Sequence, residues 1–353
     1  MLPGQGYYHN PEFIFKGPNG GKRKTVKGYV TDLITDMCIE NLESIDKNKP
    51  FCLFCHHKAP HRHWEPDEKH MKMFLNEEIP EPETLYDDYS NRSTAAKVAE
   101  MRIGVHMNEK DLKCEINRNL PENELRKWAY QRYIKDYLRC IASIDDNVGR
   151  LLAYLDKNGL RENTVVFYTS DQGFFLGDHG WFDKRFMYEE SLKMPLLIRY
   201  PEKVKPESIN KDIVLNVDFA STFLELAGLP VPESFQGRSF LPLLEGKTPS
   251  DWRKEMYYRY WTHRDGLHNV FAHYGIRNKR YKLIYYYSDG LNFPWNSKEK
   301  DKEEWELFDL EKDPFELNNV YGKSEYCEVV DDLKQKMEDI QKEIGDIPFN
   351  PRG

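Results

Sequence analysis

The stretch that most constrains the fold runs from residue 137 to residue 169. Tyr137, Ile141, Ile144, Val148, Leu151, Leu152 and Leu155 keep a three-and-four spacing that puts them on one stripe of a helix. Asn158-Gly159 follows as a C-cap pair, and Thr164-Val165-Val166-Phe167-Tyr168-Thr169 is continuously apolar, as in a strand covered on both faces. A helix feeding such a strand is the signature of α/β layers with a mostly parallel sheet. Pro195-Leu196-Leu197-Ile198-Arg199-Tyr200 repeats the strand pattern, and Val217 to Ala227 reads as helix up to Gly228.

Upstream, Val30, Leu33, Ile34, Met37 and Cys38 recur at helical spacing until Lys49-Pro50, and the apolar run Phe51 to Cys55 is expected to be a second strand. Residues 1 to 26 read as irregular loop. Residues 60 to 120 read as an insertion with short helices that frames a pocket. Downstream of residue 250 the texture changes. Met256 to Trp261, His273 to Arg277, Tyr281 to Tyr287 and Trp305 to Leu310 are short aromatic-rich strands of a small antiparallel sheet. Val329, Leu333, Met337, Ile340 and Ile344 form a closing amphipathic helix. A chain of 353 residues has room for about two domains. The division expected is an α/β domain over 1–250 and a C-terminal subdomain over 251–353.

Seven Trp, 22 Tyr and 19 Phe are an aromatic content that disordered segments lack, so the chain folds. The net charge of −8 gives no basic field for nucleic acid, and an anionic ligand must be held by a local site. No apolar run approaches the ~18 residues of a membrane span, and Met1 to Gly6 carry no export signal. Six cysteines without regular spacing are read as free thiols.

Two stretches carry chemistry. The first is Tyr168-Thr169-Ser170-Asp171-Gln172-Gly173, continuing through Gly177-Asp178-His179-Gly180 to Asp183-Lys184-Arg185. In open α/β sheets ligands bind beyond the carboxyl ends of strands, where Asp171 falls. A carboxylate from Asp171, an amide oxygen from Gln172 and the cation of Lys184 suit a divalent metal that holds an oxyanion. The plain alternative is a strand-to-loop turn with solvated charges. The second stretch is Cys55-His56-His57-Lys58-Ala59-Pro60-His61-Arg62-His63-Trp64. Lys58 or His61 could contact an anion there, and His61 could give a proton to a leaving group. Ordinary hydrogen-bonded loop histidines are the better reading for His56 and His63. Cys52-Leu53-Phe54-Cys55-His56 matches the haem-attachment pattern and could be drawn as a zinc site, but thiols in an apolar strand are expected to be buried packing groups.

These stretches resemble those of formylglycine-dependent sulfatases of the alkaline-phosphatase-like superfamily, most closely the N-acetylglucosamine-6-sulfatase and related glycosaminoglycan branches. The segments are LPGQGYYHNPEF at 2–13, HHKAPHRHWEP at 56–66, YLRCIASIDDNVGRLLAYLD at 137–156, TSDQGFFLGDHGWFDKRFMYEE at 169–190, VDFASTFLELAG at 217–228, QGRSFLPLL at 236–244, HYGIRNKRYKLI at 273–284 and WELFDLEKDPFELNN at 305–319. They follow the family's order along nearly the whole chain.

The resemblance implies an alkaline-phosphatase-like α/β/α sandwich with a small C-terminal antiparallel α+β subdomain, and hydrolysis of a sulfate monoester on a sulfated sugar, such as 6-O-sulfated N-acetylglucosamine. It makes Asp171 and Gln172 ligands of a Ca2+ ion, Lys184 the contact to sulfate and His61 the proton donor. Lys58, Asp178 and His179 become residues of the substrate pocket. It also implies an exported protein, whether periplasmic, secreted or lysosomal. The family's nucleophile motif, C-x-P-S-R or S-x-P-x-R, begins at no Cys or Ser of this sequence, and the family's paired N-terminal aspartates, which complete its calcium site, and its G-K-W-H segment are absent too. The chain is therefore expected to be a sulfatase lacking its N-terminal portion, inactive alone, with a weakly held metal and a mobile loop from Gly173 to Gly180. A non-catalytic glycan-binding relative and a metal-dependent phosphodiesterase of the same superfamily are the alternatives.

Overall fold

The computed structural model describes residues 6–17 and 21–346, in two compact units. The first comprises residues up to Glu81 together with Ile103–Thr164, and the second Pro82–Arg102 together with Val165 onward. In chain order the elements are β1 (Glu12–Phe15), β2 (Lys22–Thr25), α1 (Val30–Ser44), α2 (Thr94–Val98), α3 (Glu109–Leu112), α4 (Glu122–Lys157), β3 (Val166–Thr169), β4 (Phe175–Leu176), β5 (Phe182–Asp183) and α5 (Glu189–Leu192). There follow β6 (Leu196–Arg199), α6 (Asp218–Leu226), α7 (Leu241–Leu244), β7 (Glu255–Tyr260), β8 (His273–Asn278), β9 (Tyr281–Tyr286), β10 (Glu304–Asp309) and α8 (Cys327–Ile344). None of the described helices is long and apolar enough to cross a membrane.

In the first unit α1 packs on α4, whose apolar stripe buries Tyr133, Ile134, Tyr137, Cys140 and Ile144. The pairing is pinned by Asn147 Nδ2 donating to Asp32 Oδ1 at 2.7 Å and by the Arg150–Asp36 ion pair. α4 ends at the expected place: Asn158 is its cap, and Gly159 takes a φ of +69° that a side chain would resist. Two expectations differ here. The opening residues are not all loop, because β1 and β2 form an antiparallel hairpin. Phe51 to Cys55 alternates half-buried and exposed residues but joins no strand ladder among the described residues, and Phe54 is 60% exposed. The apolar run was legible; the absence of a ladder partner was not.

In the second unit the sheet order β10-β9-β8-β7 is antiparallel throughout, as the aromatic-rich texture implies. Because strand side chains alternate, one face of this sheet presents Tyr274, Ile276, Leu283 and Leu307 to Leu333 and Met337 of α8. The other presents Ile284, Tyr286 and Phe308 to Phe175, Trp181, Phe186, Met187 and Tyr188. Gly275 makes this second contact possible, since a Cβ there would lie 2.6 Å from the Met187 sulfur. On the same face Lys282, fully buried in β9, pairs with Glu189 at 2.9 Å and Glu316 at 2.6 Å. The segment from residue 175 to 190 is thus clamped on the sheet by aromatic packing and a buried ion-pair network.

The parallel pairing expected of the first strands is corrected by the structure: β3 and β6 pair antiparallel, with Phe167 opposite Ile198. Parallel neighbours need a long crossover, usually a helix. Between β3 and β6 the chain instead makes the β4–β5 hairpin and a four-residue helix, so it returns in the opposite direction. The pair packs Phe167 and Ile198 on Phe240, Leu243 and Trp252, while Leu197 on the opposite side is 61% exposed. The expected division at residue 250 follows strand type and the two compact units follow contacts, so the two do not coincide.

Candidate functional site

Lys58 and His61 fall in the first unit; Asp171, Gln172, Asp178, His179 and Lys184 fall in the second. In the first, the chain after Cys55 turns tightly, with the His61 N–H donating to Lys58 O at 3.0 Å. Lys58 Nζ lies 4.4 Å from the centre of the Tyr8 ring and donates to Arg62 O at 3.2 Å. Burial lowers its pKa to about 8, with Glu65 opposing. His61 is half-buried; Tyr8 Oη donates to its carbonyl at 2.5 Å, and its Nδ1 lies 3.1 Å from Arg62 O.

Sequence reasoning missed what holds this turn. Asp111, fully buried, accepts from Arg62 Nε and Nη2 at 2.5 Å each and contacts His63 Nδ1 at 2.8 Å. It also completes the capping box of α3 with Asn108. Burial would raise its pKa, but the Arg62 guanidinium and those hydrogen bonds hold it below the usual carboxylate range. The local signal was Asn108-x-x-Asp111 as a helix start; that its carboxylate also clamps Arg62 has no sequence signature.

In the second unit Asp171 stands just past β3, exposed, with the Ser170 hydroxyl at 3.4 Å and the Gln172 amide nitrogen at 3.5 Å. Gly173 must be glycine, because a Cβ would lie 2.1 Å from Glu190 O, and its N–H donates to Ser191 O at 2.9 Å. The stretch from Gly173 to Gly180, expected to be loose, is built on buried Phe175 and His179 and closed as the β4–β5 hairpin. Asp178 is half-buried, and burial with the neighbouring Glu190 charge raises its pKa.

His179, expected in the sugar pocket, belongs to the core instead. It is 1% exposed, with Nδ1 3.1 Å from Asp87 Oδ2 and Nε2 3.7 Å from Glu190 Oε2. Its N–H donates to Thr84 Oγ1 at 2.9 Å, and its carbonyl accepts from Tyr89 Oη at 2.6 Å. Burial alone would lower its pKa, but the two carboxylates raise it to about 9, so it is an imidazolium that ties the hairpin to residues 84–89. Nothing local signals this, because Asp87 is remote in sequence.

Lys184 sits between two non-glycine residues in the left-handed region, Asp183 at φ +78° and Arg185 at φ +95°. Such conformations persist only where their surroundings enforce them, and they gather at functional sites. Here the Asp183 carboxylate accepts the Lys184 N–H at 2.8 Å and Arg185 Nη1 at 2.6 Å, and lies 3.4 Å from His268 Nε2. His268 Nδ1 in turn is 2.7 Å from Asp265, and Tyr258 Oη donates to Arg185 O at 2.9 Å. Burial works against the charge on Asp183, but the His268, Arg185 and Lys184 cations hold its pKa well below the usual range. His268, whose pKa burial would lower, is raised by Asp183 and Asp265. The Lys184 ammonium is left half-buried, 5.7 Å from the Phe174 ring centre.

Residues 3–229 match the family model described as sulfatase, and residues 177–343 that described as N-sulphoglucosamine sulphohydrolase, C-terminal. The chain belongs to the sulfatase family. It is 44% identical to an N-acetylglucosamine-6-O-sulfatase of Bacteroides thetaiotaomicron over 97% of this sulfatase chain and 66% of that protein. It is 27% identical to the N-acetylglucosamine-6-sulfatase of Bos taurus over 86% of this chain and 54% of that one. It spans between about half and two thirds of these curated relatives. A solved structure in complex with its substrate, D-glucosamine-2-N,6-O-disulfate, superposes with a TM-score of 0.88 at 42% identity, covering 99% of this chain and 76% of that one. The fold is thus the alkaline-phosphatase-like α/β fold, which more distant neighbours share, among them a phosphonate monoester hydrolase from Silicibacter pomeroyi at TM-score 0.68 and 21% identity.

Proposed function

We propose that this chain is the part of a sulfuric ester hydrolase that holds the sulfate and the leaving sugar of 6-O-sulfated N-acetylglucosamine or a related glycosaminoglycan unit. The observation that carries this reading is the constrained turn at Lys184, in a chain that matches a relative solved with a glucosamine disulfate. A lysine fixed by its neighbours before substrate arrives acts on developing anionic charge at no cost in reorganisation. Lys184 binds the sulfate oxygens. By the family resemblance His61 gives a proton to the departing sugar oxygen, and Lys58 and Asp178 contact the sugar.

Asp171 and Gln172 are the residues that would hold calcium: adjacent hard oxygen donors, an exposed charged carboxylate and a half-buried neutral amide. They fit such an ion as two of its usual six to eight ligands; no group of three or more metal-binding side chains is present among the described residues. In this family the ion neutralises sulfate oxygens and formylglycine supplies the attacking oxygen. No Cys or Ser of these 353 residues begins the formylglycine motif, so the chain alone binds and does not turn over. An exported location accords with the family. Ion chromatography of sulfate released from N-acetylglucosamine 6-sulfate tests this. No release above a protein-free control is expected, and turnover abolished by Asp171→Ala would overturn it.

A further inference from the structure

The second unit carries an exposed aromatic surface that the proposed function does not use. Trp261, just past β7, is 44% exposed, and Trp295, in the loop between β9 and β10, is 61% exposed. The Phe293 ring joins them: it stacks on Trp295 with centroids 5.0 Å apart and planes 13° apart, and it meets Trp261 edge-on at 6.2 Å. The Arg259 guanidinium lies 3.6 Å from the Trp261 ring centre and covers one face of that indole. Each tryptophan thus has one face packed, and its exposure belongs to the other face and the ring edge. The surface is fixed before any ligand arrives. Asn296 Nδ2 donates to Trp261 O at 3.0 Å and to Gly290 O at 2.9 Å, and the Ser297 N–H donates to His263 O at 3.0 Å. Gly290 permits this closure, because a Cβ there would lie 2.3 Å from Ser297 O.

Charge and size identify the occupant. Among the carboxylates that follow the aromatic loop, Glu299 accepts from Arg264 at 2.6 Å, Asp301 from Arg264 at 3.0 Å, Glu303 from Tyr285 Oη at 2.6 Å and Glu304 from the Thr94 N–H at 2.7 Å. Lys300 pairs with Asp289. What is left over is cationic: Lys298 and Lys302 are exposed and have no ion pair among the described residues. Two tryptophans exposed to this degree present on the order of 250 Å², against the ~800 Å² that a stable protein interface takes from each partner. That area suits sugar rings, whose polarised C–H faces stack on the negative face of an indole.

We propose that Trp261 and Trp295 form a platform for the further sugars of a sulfated oligosaccharide whose terminal residue is held at Lys184, with Lys298 and Lys302 taking sulfate groups of those sugars. This rests on the reading of Lys184 as the sulfate contact and extends it from one sugar to a chain. The segment that carries Trp261 runs on to His268, which lies 3.4 Å from Asp183 in the Lys184 turn. Seven residues of chain reach at most roughly 25 Å, the scale of a short oligosaccharide.

The test is calorimetric titration of the 353-residue chain with N-acetylglucosamine 6-sulfate and with a sulfated tetrasaccharide that ends in it. The titrations are repeated on Trp295→Ala, on Trp295→Phe and on Lys298→Ala with Lys302→Ala. The tetrasaccharide should bind about tenfold more tightly than the monosaccharide. That advantage should be lost in Trp295→Ala, kept in part by Trp295→Phe, and reduced and made less salt-sensitive in the double lysine variant, with monosaccharide affinity unchanged throughout. Equal affinity for the two sugars, or an advantage that survives Trp295→Ala, would overturn the platform. Failure of the Lys184 reading looks different: the monosaccharide then does not bind, while the tetrasaccharide still binds and is lost in Trp295→Ala. Binding of neither sugar would overturn both. Dimerisation in sedimentation that Trp295→Ala abolishes would assign the surface to a second copy of the chain and overturn the proposal as well. Should Trp295→Ala not fold, protection of the native tryptophan emission from acrylamide by the tetrasaccharide decides, and its absence overturns the platform.

Discussion

The carboxylate of Asp183 holds the backbone N–H of Lys184 at 2.8 Å, from a residue that is itself twisted to a φ of +78°. The same oxygen takes Arg185 Nη1 at 2.6 Å, so one carboxylate holds the lysine's own N–H and the side chain of the residue that follows it.

Asp183→Ala therefore has two effects. It leaves His268 and the Arg185 guanidinium short of a partner, which costs about 2–3 kcal/mol of stability, less than a fully enclosed pair would because Arg185 reaches solvent. It also frees Lys184, so affinity for a sulfated sugar should fall about tenfold. Urea unfolding reads the first effect and calorimetric titration the second. Unchanged affinity in a folded variant would mean that the turn does not position Lys184.

The His179 pair predicts a pH dependence of stability. Its folded pKa of about 9 lies above the ordinary 6.5, so the folded protein holds a proton that the unfolded chain releases first. The stabilisation is complete below pH 6.5 and is lost as pH rises toward 9, a change on the order of 3 kcal/mol over that window. Asp87 and Glu190 face the ring, and both stay ionised across the window because their pKa values are lowered. Denaturant midpoints from pH 6 to pH 9.5 should fall for the native protein and stay much flatter in His179→Gln. Equal slopes in the two proteins would remove His179 as the cause.

Calcium should bind the isolated chain weakly and through Asp171. One carboxylate and one amide cannot offset the dehydration of an ion that takes six to eight oxygens. Calorimetric titration should give a Kd of about a millimolar or weaker, lost in Asp171→Ala. Micromolar binding insensitive to that substitution would place the metal elsewhere.

What the sequence showed depended on whether the cause was local. The three-and-four spacing up to Leu155 and the Asn158-Gly159 cap marked α4, whose helix ends at Lys157, and the aromatic alternation marked β7 to β10. The stripe from Val329 to Ile344 marked α8, which packs by Leu333 and Met337. Pairing is not local. The direction of β6 against β3 goes with what joins them, a hairpin and a four-residue helix in place of a crossover helix, and Phe51 to Cys55 had a strand's apolarity without a partner to make a ladder among the described residues. Among the candidate residues, Asp171, Lys184 and His61 were picked out as residue types in motifs, and their roles remain proposals. The ties of Asp111 to Arg62 and of His268 to Asp183 were not, since each joins residues far apart in sequence. His179, which the resemblance placed in the substrate pocket, is buried between Asp87 and Glu190 and braces the hairpin.

The central claim is that Lys184 is held ready for a sulfate ester on a sugar. The direct test is calorimetric titration of the 353-residue chain with N-acetylglucosamine 6-sulfate and with unsulfated N-acetylglucosamine, repeated with Lys184→Ala. The account predicts saturable binding of the sulfated sugar, at least tenfold weaker binding of the unsulfated one, and loss of that preference in Lys184→Ala with the fold intact. Equal affinity for the two sugars, or a preference that survives Lys184→Ala, would contradict it.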